Sequence, residues 1–156
     1  MSIELPPSGT RGSDIPKLMR PLVRAMMGFG NVMFRGGMKV QGRPLLRLTT
    51  VGSHSGKERR RVVCWFPDGE RDDSWIIVAS NGGARRHPAW AYNLARHPDG
   101  ASVEPDAGES VNVTSELISG PERVDAWSRI IALAPGFQVY TTKTDRQLPV
   151  FRLAAR

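Results

Sequence analysis

Apolar residues recur at positions 15, 18, 19, 22, 23, 26 and 27, the three-and-four spacing of one helical face, with Lys17, Arg20 and Arg24 mostly opposite. Asp14 is placed to cap this helix, Pro16 suits its first turn, and Pro21 is expected to kink or split it. The preceding residues 1–13 are rich in Pro, Ser and Gly, a composition that predicts mobility. Beyond Gly36-Gly37 and Gly42 the pattern changes to short apolar runs, which predict strands near 45–50, 61–66 and 74–80, with Pro67-Asp68-Gly69 as a turn. Asn81-Gly82-Gly83 breaks the chain, and a short helix is expected from Pro88 to Arg96, ended by His97-Pro98. Two further strands, 101–105 and 110–118, flank a turn around Asp106–Gly108. Ser119-Gly120-Pro121-Glu122 has the spacing of a capping box and predicts a helix with Val124, Trp127, Ile130 and Ile131 inward. Pro135-Gly136 is expected to end it, and Leu148–Leu153 to supply the last strand. Strands in succession with few crossovers predict an α+β domain over 14–156, its mainly antiparallel sheet curled into a small barrel. There is no βαβ series, which disfavours a doubly wound nucleotide-binding fold.

Composition narrows the class. A chain of 156 residues, 40% hydrophobic and 24% charged, suits a single globular domain. No apolar run approaches the roughly 18 residues of a membrane span, and the first residues lack the pattern of a secretory signal, so a cytoplasmic location is expected. Cys64 is the only cysteine, which excludes an internal disulfide and multi-cysteine metal sites; its place in a strand-like run predicts a buried, inert thiol. The net charge of +7 and pI near 10.5 point to an anionic partner. The basic amphipathic helix fits two readings, packing on the domain with its cations solvated, or lying on an anionic membrane.

The charge concentrates in one hairpin. Thr49–Arg61 reads TTVGSHSGKERRR, two glycines and small polar residues followed by Lys57, Arg59, Arg60 and Arg61. The stretch is one residue too short for a Walker loop, has Glu58 where a metal-binding hydroxyl would stand, and leads into a strand. Converging backbone N–H groups with Ser53 and Ser55 could instead cradle one oxyanion, with arginine for bidentate contact. Strand alternation puts Arg59 and Arg61 on one face and Arg60 on the other. A second polar constellation, Ala79–Trp90, opens through two glycines into a helix whose free N–H groups suit an anion or a ring edge. His54, His87 and His97 have no metalloprotease spacing, and neither a Gly-x-Ser-x-Gly elbow nor paired carboxylates occur, so neither hydrolysis nor a metal centre is indicated. The aromatics are not interleaved with cations on a strand, so no nucleic-acid partner is expected.

Three blocks together resemble the deazaflavin-dependent nitroreductase family, oxidoreductases that use coenzyme F420 on a split β-barrel of FMN-binding type. They are Thr49–Gly56 with Arg59; Ala79–Ala84 with His87-Pro88-Ala89-Trp90, Asn93-Leu94 and Pro98; and Pro135-Gly136-Phe137 with Tyr140, Thr144-Asp145-Arg146 and Leu148-Pro149. The resemblance spans about residues 45–153. It implies coenzyme F420 as cofactor, its phosphate held by Ser53, His54, Ser55 and Arg59. Arg60, Arg61, Val62, Val63 and Cys64 would lie along the deazaflavin. Val78, Ala79, Ser80 and Asn81 would line its other edge, with Ala89, Trp90, Asn93 and Phe137 completing the pocket. Tyr140 and Ser80 would position the acceptor or supply a proton. The implied reaction is hydride transfer from reduced deazaflavin to a quinone or nitroaromatic-like acceptor, in a monomer that could touch the membrane through its basic N-terminal helix. Four positions depart from the family pattern: Ser53-His54 replaces an Arg-Lys pair, and Ala134 and Phe137 stand where tyrosines are frequent. A non-catalytic split barrel binding a lipid, FMN or heme is the alternative implied.

Overall fold

The computed structural model describes residues 2–156; the side chain of Met27, assigned above to the apolar face of the first helix, lies outside the described residues. A 3₁₀ turn over Lys17–Met19 leads into α1 (Arg20–Gly28), with Pro21 in its first turn, where a missing N–H costs nothing. α2 follows at Gly30–Arg35. Asp14 does not cap α1; its carboxylate accepts a hydrogen bond from the Arg85 N–H instead. Seven strands come next with three more helices: β1 (Leu45–Val51), β2 (Glu58–Cys64), β3 (Phe66–Pro67), β4 (Ser74–Val78), α3 (Ala89–Arg96), β5 (Ala101–Glu104), β6 (Val111–Leu117), α4 (Gly120–Leu133), α5 (Gly136–Lys143) and β7 (Val150–Ala155).

All pairings are antiparallel, in the order β2-β1-β5-β6-β7-β4-β3. β2 and β3 stand at opposite ends of that order, yet only Trp65 separates them in the chain. Residues two apart lie within about 7 Å of each other, so the sheet must curl until its ends nearly meet. This is the curled barrel that the order of elements predicts and the split barrel that the resemblance implies.

Strand alternation explains the core. Ile77 of β4 joins Leu46, Leu48, Leu94, Val103, Val113, Phe151 and Leu153 in one cluster, while Ile76 and Val78 join Phe66, Ile118, Ile130, Phe137, Leu148 and Val150 in another. Successive residues of β4 thus reach two different cores, which is why the strand is apolar from Trp75 to Val78 instead of alternating. α3 covers the first cluster through Trp90, Ala91 and Leu94, and α4 and α5 close the second.

Several local expectations change. β2 begins at Glu58, three residues early, because Glu58, Arg59 and Arg60 stay in register with Val51, Thr50 and Thr49; an edge strand tolerates such charges. Pro135 ends α4 but also stands at the start of α5, an element not foreseen. Val124 points outward, and the buried stripe of α4 is Ala126 and Ile130. Glu122 makes no capping bond to Ser119; it accepts from Arg152 Nη2 at 2.6 Å. Residues 1–13, whose composition predicts mobility, here include a hydrogen-bonded strap: Ile3 N–H donates to Ala95 O, Gly9 N–H to Arg85 O and Ser13 N–H to Gly83 O.

Arg152 sits on β7 facing the second core, where an aliphatic residue would be expected. Its guanidinium donates to Asp68, which is fully buried, and to Glu116 and Glu122. Burial alone would raise the Asp68 carboxyl, but the bonds from Arg152, Ser74 and the Glu70 N–H hold it below its ordinary value. Arg152→Ala is expected to lower unfolding free energy by about 3–5 kcal/mol in urea melts, because it strands a buried carboxylate.

Candidate functional site

Two cavities of about 640 Å³ each flank the β1–β2 hairpin. One lies between the hairpin loop, α3 and the N-terminal strap. Ser53, His54, His87, Tyr92 and Arg96 line it, with Ile3, Leu5, Pro6 and Ser8 of the strap. The other lies between β2 and the α1–α2 pair. Arg60, Arg61, Val62 and Cys64 form its floor, and Val23, Arg24, Met26, Asn31, Met33 and Val40 its cover.

Two backbone hydrogen bonds close the loop between them. Gly52 N–H donates to Lys57 O at 2.8 Å and Gly56 N–H to Gly52 O at 2.9 Å. A Cβ on Gly52 would lie 2.5 Å from Ser55 Oγ, and Gly56 has φ of +65°, so glycine is required at both. Asn93, buried on α3, accepts from Ser53 N–H at 2.9 Å and donates to Thr50 Oγ1 at 3.0 Å. The role of Asn93 is therefore to clamp the loop. With Ser53 N–H spent, the N–H groups of His54 and Ser55 have no partner among the described residues and, with exposed Lys57 and Arg59, form a cradle suited to an oxyanion.

The other expected residues divide by burial. Val78, Ala79, Trp90 and Phe137 are core side chains; Trp90 packs on Phe151 and Phe137 sits edge-on between Phe66 and Tyr140. They can frame a ligand only from behind. Val63 is half-buried against the first core, and Ala89 is exposed at the start of α3. Arg60 pairs with Glu58 at 2.8 Å. Burial pushes the Cys64 thiol up to about 11, so it stays protonated. Tyr140 Oη accepts from Gln41 Nε2 at 2.8 Å, which leaves its own proton free. Asn81 has φ of +46°, and its Nδ2 donates to Arg86 O.

Two residues matter more than the sequence reading gave them. Arg146, only 5% exposed, donates to the carbonyl oxygens of Ala79, Ser80 and Ala84 and to His87 Nδ1. His87 is buried, and its Nε2 meets Pro6 O at 2.7 Å. Since a guanidinium can only donate, Nδ1 accepts and Nε2 carries the proton. The signal for Arg146 was its place in Thr144-Asp145-Arg146; nothing near it in sequence shows where the guanidinium goes.

Burial pushes His87 below its ordinary value, the bond to Pro6 O opposes this, and the Arg146 charge lowers it further. The unfolded chain takes up this proton below about pH 6.5 while the folded chain resists. The stabilisation is thus full above that pH and is lost as pH falls toward the folded value. His87→Gln keeps an acceptor for Arg146 and a donor for Pro6 O without titrating. It is expected to flatten the stability profile between about pH 5 and 6.5 in urea melts.

The family model for F420H(2)-dependent quinone reductase matches residues 19–154. An F420H(2)-dependent quinone reductase of Mycobacterium tuberculosis is 32% identical over 127 residues, 78% of this chain and 81% of that protein. A solved F420-H2 dependent reductase is 33% identical, with TM-score 0.61 over 75% of this chain and 99% of its own. A solved chain described as a domain-swapped dimer is 29% identical, with TM-score 0.61 over 85% and 98%. A heme binding protein from Mycobacterium smegmatis shares the fold at 17% identity, with TM-score 0.54 over 74% of this chain and 47% of that one.

Proposed function

The chain belongs to the F420H(2)-dependent quinone reductase family, and on that premise we propose how its own residues bind cofactor and acceptor. The observation that carries the reading is the juxtaposition of the oxyanion cradle with the apolar, arginine-edged cavity beneath α1 and α2. Coenzyme F420 joins a phosphodiester and an acidic tail to a flat ring. The cradle of His54 and Ser55 N–H groups, with Ser53, Lys57 and Arg59, suits the phosphate. Ser53 and His54 leave that task to backbone donors and to cations further along the strand.

Val62 and Cys64 give the ring an apolar floor, and Arg60 and Arg61 supply charge at its edge. When bound and reduced, the deazaflavin supplies a hydride to the quinone. The protein's part is to orient the two partners and exclude water. α1 and α2 cover the cavity with Val23, Met26 and Met33. Ser80 positions the acceptor at the opposite rim. Tyr140, held by Gln41, offers its free proton to the acceptor oxygen.

The cover helices also suit a lipid surface. Leu18 is 92% exposed, and Leu22, Met26, Phe29 and Val32 are each more than half exposed. Residues 15–57 contain eight Lys and Arg and no Asp or Glu. An exposed apolar face on a segment that carries cations and no acid of its own matches an anionic bilayer, which is the cytoplasmic leaflet. No helix among the described residues is long and apolar enough to cross a membrane, so contact would be peripheral. A membrane-borne quinone would then reach the cavity from beneath its own cover, and a single copy of the chain carries every group used.

Titration of intrinsic tryptophan fluorescence is expected to saturate with F420 and not with FMN. Arg59→Ala should weaken F420 binding about 10- to 100-fold, the worth of one charge-assisted hydrogen bond. Equal affinity in parent and variant would remove Arg59 from the phosphate site. In co-sedimentation, phosphatidylglycerol vesicles should carry the protein down and phosphatidylcholine vesicles should not. Leu18→Asp with Phe29→Asp should abolish sedimentation and leave F420 affinity unchanged.

A further inference from the structure

Arg146 carries a buried charge with no carboxylate partner among the described residues. Its neighbour Asp145 is turned away, accepting from Thr10 Oγ1 and from the Thr10 and Arg11 N–H groups. The guanidinium spends its donors on one short segment: Nε on Ala84 O at 2.8 Å, Nη1 on Ala79 O at 3.1 Å and His87 Nδ1 at 3.0 Å, and Nη2 on Ser80 O at 2.7 Å. Desolvating a charge without a counter-ion is costly, and carbonyl dipoles offset that cost only while the backbone keeps its shape.

That backbone does not keep its shape unaided. Asn81, Gly82 and Gly83 have φ of +46°, +62° and +80°, three left-handed residues in succession. A Cβ on Gly83 would come within 2.8 Å of Lys143 Cβ. Such a run persists only where its surroundings over-determine it, and three of the carbonyls that fix it belong to residues on either side of the run. A planar fork with five donors can hold them together; a lysine ammonium, with three donors on one atom, cannot.

We propose that Arg146 is the positioning residue of the cofactor site, fixing the Ala79–Ala84 loop at the acceptor rim and, through His87 and Pro6 O, the N-terminal strap over the hairpin-side cavity. This rests on the cofactor reading given above. Its geometric basis is separate: Arg146 bonds the Ser80 carbonyl directly and reaches, by way of His87, Pro6 O in the wall of the cavity of Ser53 and His54. Arg146 touches neither cavity, so its effect is transmitted wholly through backbone and imidazole.

The test is hydrogen exchange on the cofactor-free protein, paired with F420 titration at a temperature where every variant is folded. Arg146→Lys is expected to speed exchange at Gly83 and Ala84 and at the strap amides Gly9 and Ser13, while amides of β1, β6 and β7 exchange as in the parent. The same variant should bind F420 at least about tenfold more weakly, the worth of one or more lost hydrogen bonds to a charged group. His87→Leu cuts only the strap arm and should open Gly9 and Ser13 while leaving the Ala79–Ala84 loop protected. Should Arg146→Lys fail to fold, that selective opening carries the test. Uniform acceleration across the sheet in Arg146→Lys, or strap protection unchanged in both variants, overturns the proposal, and so does local opening with F420 affinity unchanged. A parent protein that does not bind F420 would instead overturn the cofactor reading and leave the exchange pattern to judge Arg146.

Discussion

One covalent link constrains this structure more than any non-covalent contact. Trp65 alone separates Cys64, at the end of β2, from Phe66, at the start of β3, and these strands stand at opposite ends of the seven-strand order. The sheet has no flat solution. It curls, two apolar faces close at once, and β4 and β7 become strands buried on both sides. The gap left between the ends is where β2 keeps an unpaired edge. Arg59 to Arg61 lie on that edge strand in exposed positions, whereas Arg47 and Arg152 on inner strands are each paired with a carboxylate.

The site follows from this closure. The hairpin loop is aimed by β1 and β2 and clamped by Asn93 from α3, an element that packs on the first core. The Ser80–Ala84 loop follows β4, which ends at Val78, and is held from behind by Arg146. Rigid strands thus present two short polar loops, and helices α1 and α2 cover the space beside β2. The chemistry asks for little more, since a hydride donor and its acceptor need alignment and dryness above all.

Much of the fold was legible because most strands announce themselves by β-branched or alternating residues between glycine and proline breaks. β3 was not, because Phe66 reads as the end of the strand expected at 61–66 and Pro67 as a turn, whereas β2 stops at Cys64 and Phe66–Pro67 pairs with β4. α5 was not, because Pro135-Gly136 reads as a stop when proline equally suits a first turn. The strap was illegible for a different reason. Its composition is that of a loose terminus, and its partners Gly83, Arg85, Ala95 and Asp145 lie some 70 to 135 residues away. In the hairpin, the glycines and cations were legible as an exposed polar loop, and the structure leaves the His54 and Ser55 N–H groups of that loop without a partner among the described residues. The sequence could not tell a lining residue from one buried behind the lining, so Trp90, Ala79 and Phe137 read as pocket residues although their side chains belong to the core. Nor could it show that Asn93 is spent on the loop and His87 on the strap.

The acid-free stretch from Ile15 to Lys57 acts before any contact is made. Its field extends about a Debye length, near 8 Å in physiological salt, and a cleft walled by one sign of charge raises encounter rates with oppositely charged molecules by about 10- to 1000-fold. Phosphate and acidic tail together make the cofactor a polyanion, so the protein collects it fastest in dilute salt. The uncharged quinone feels none of this and arrives by ordinary diffusion. One surface thus sets two different clocks for the two halves of the reaction.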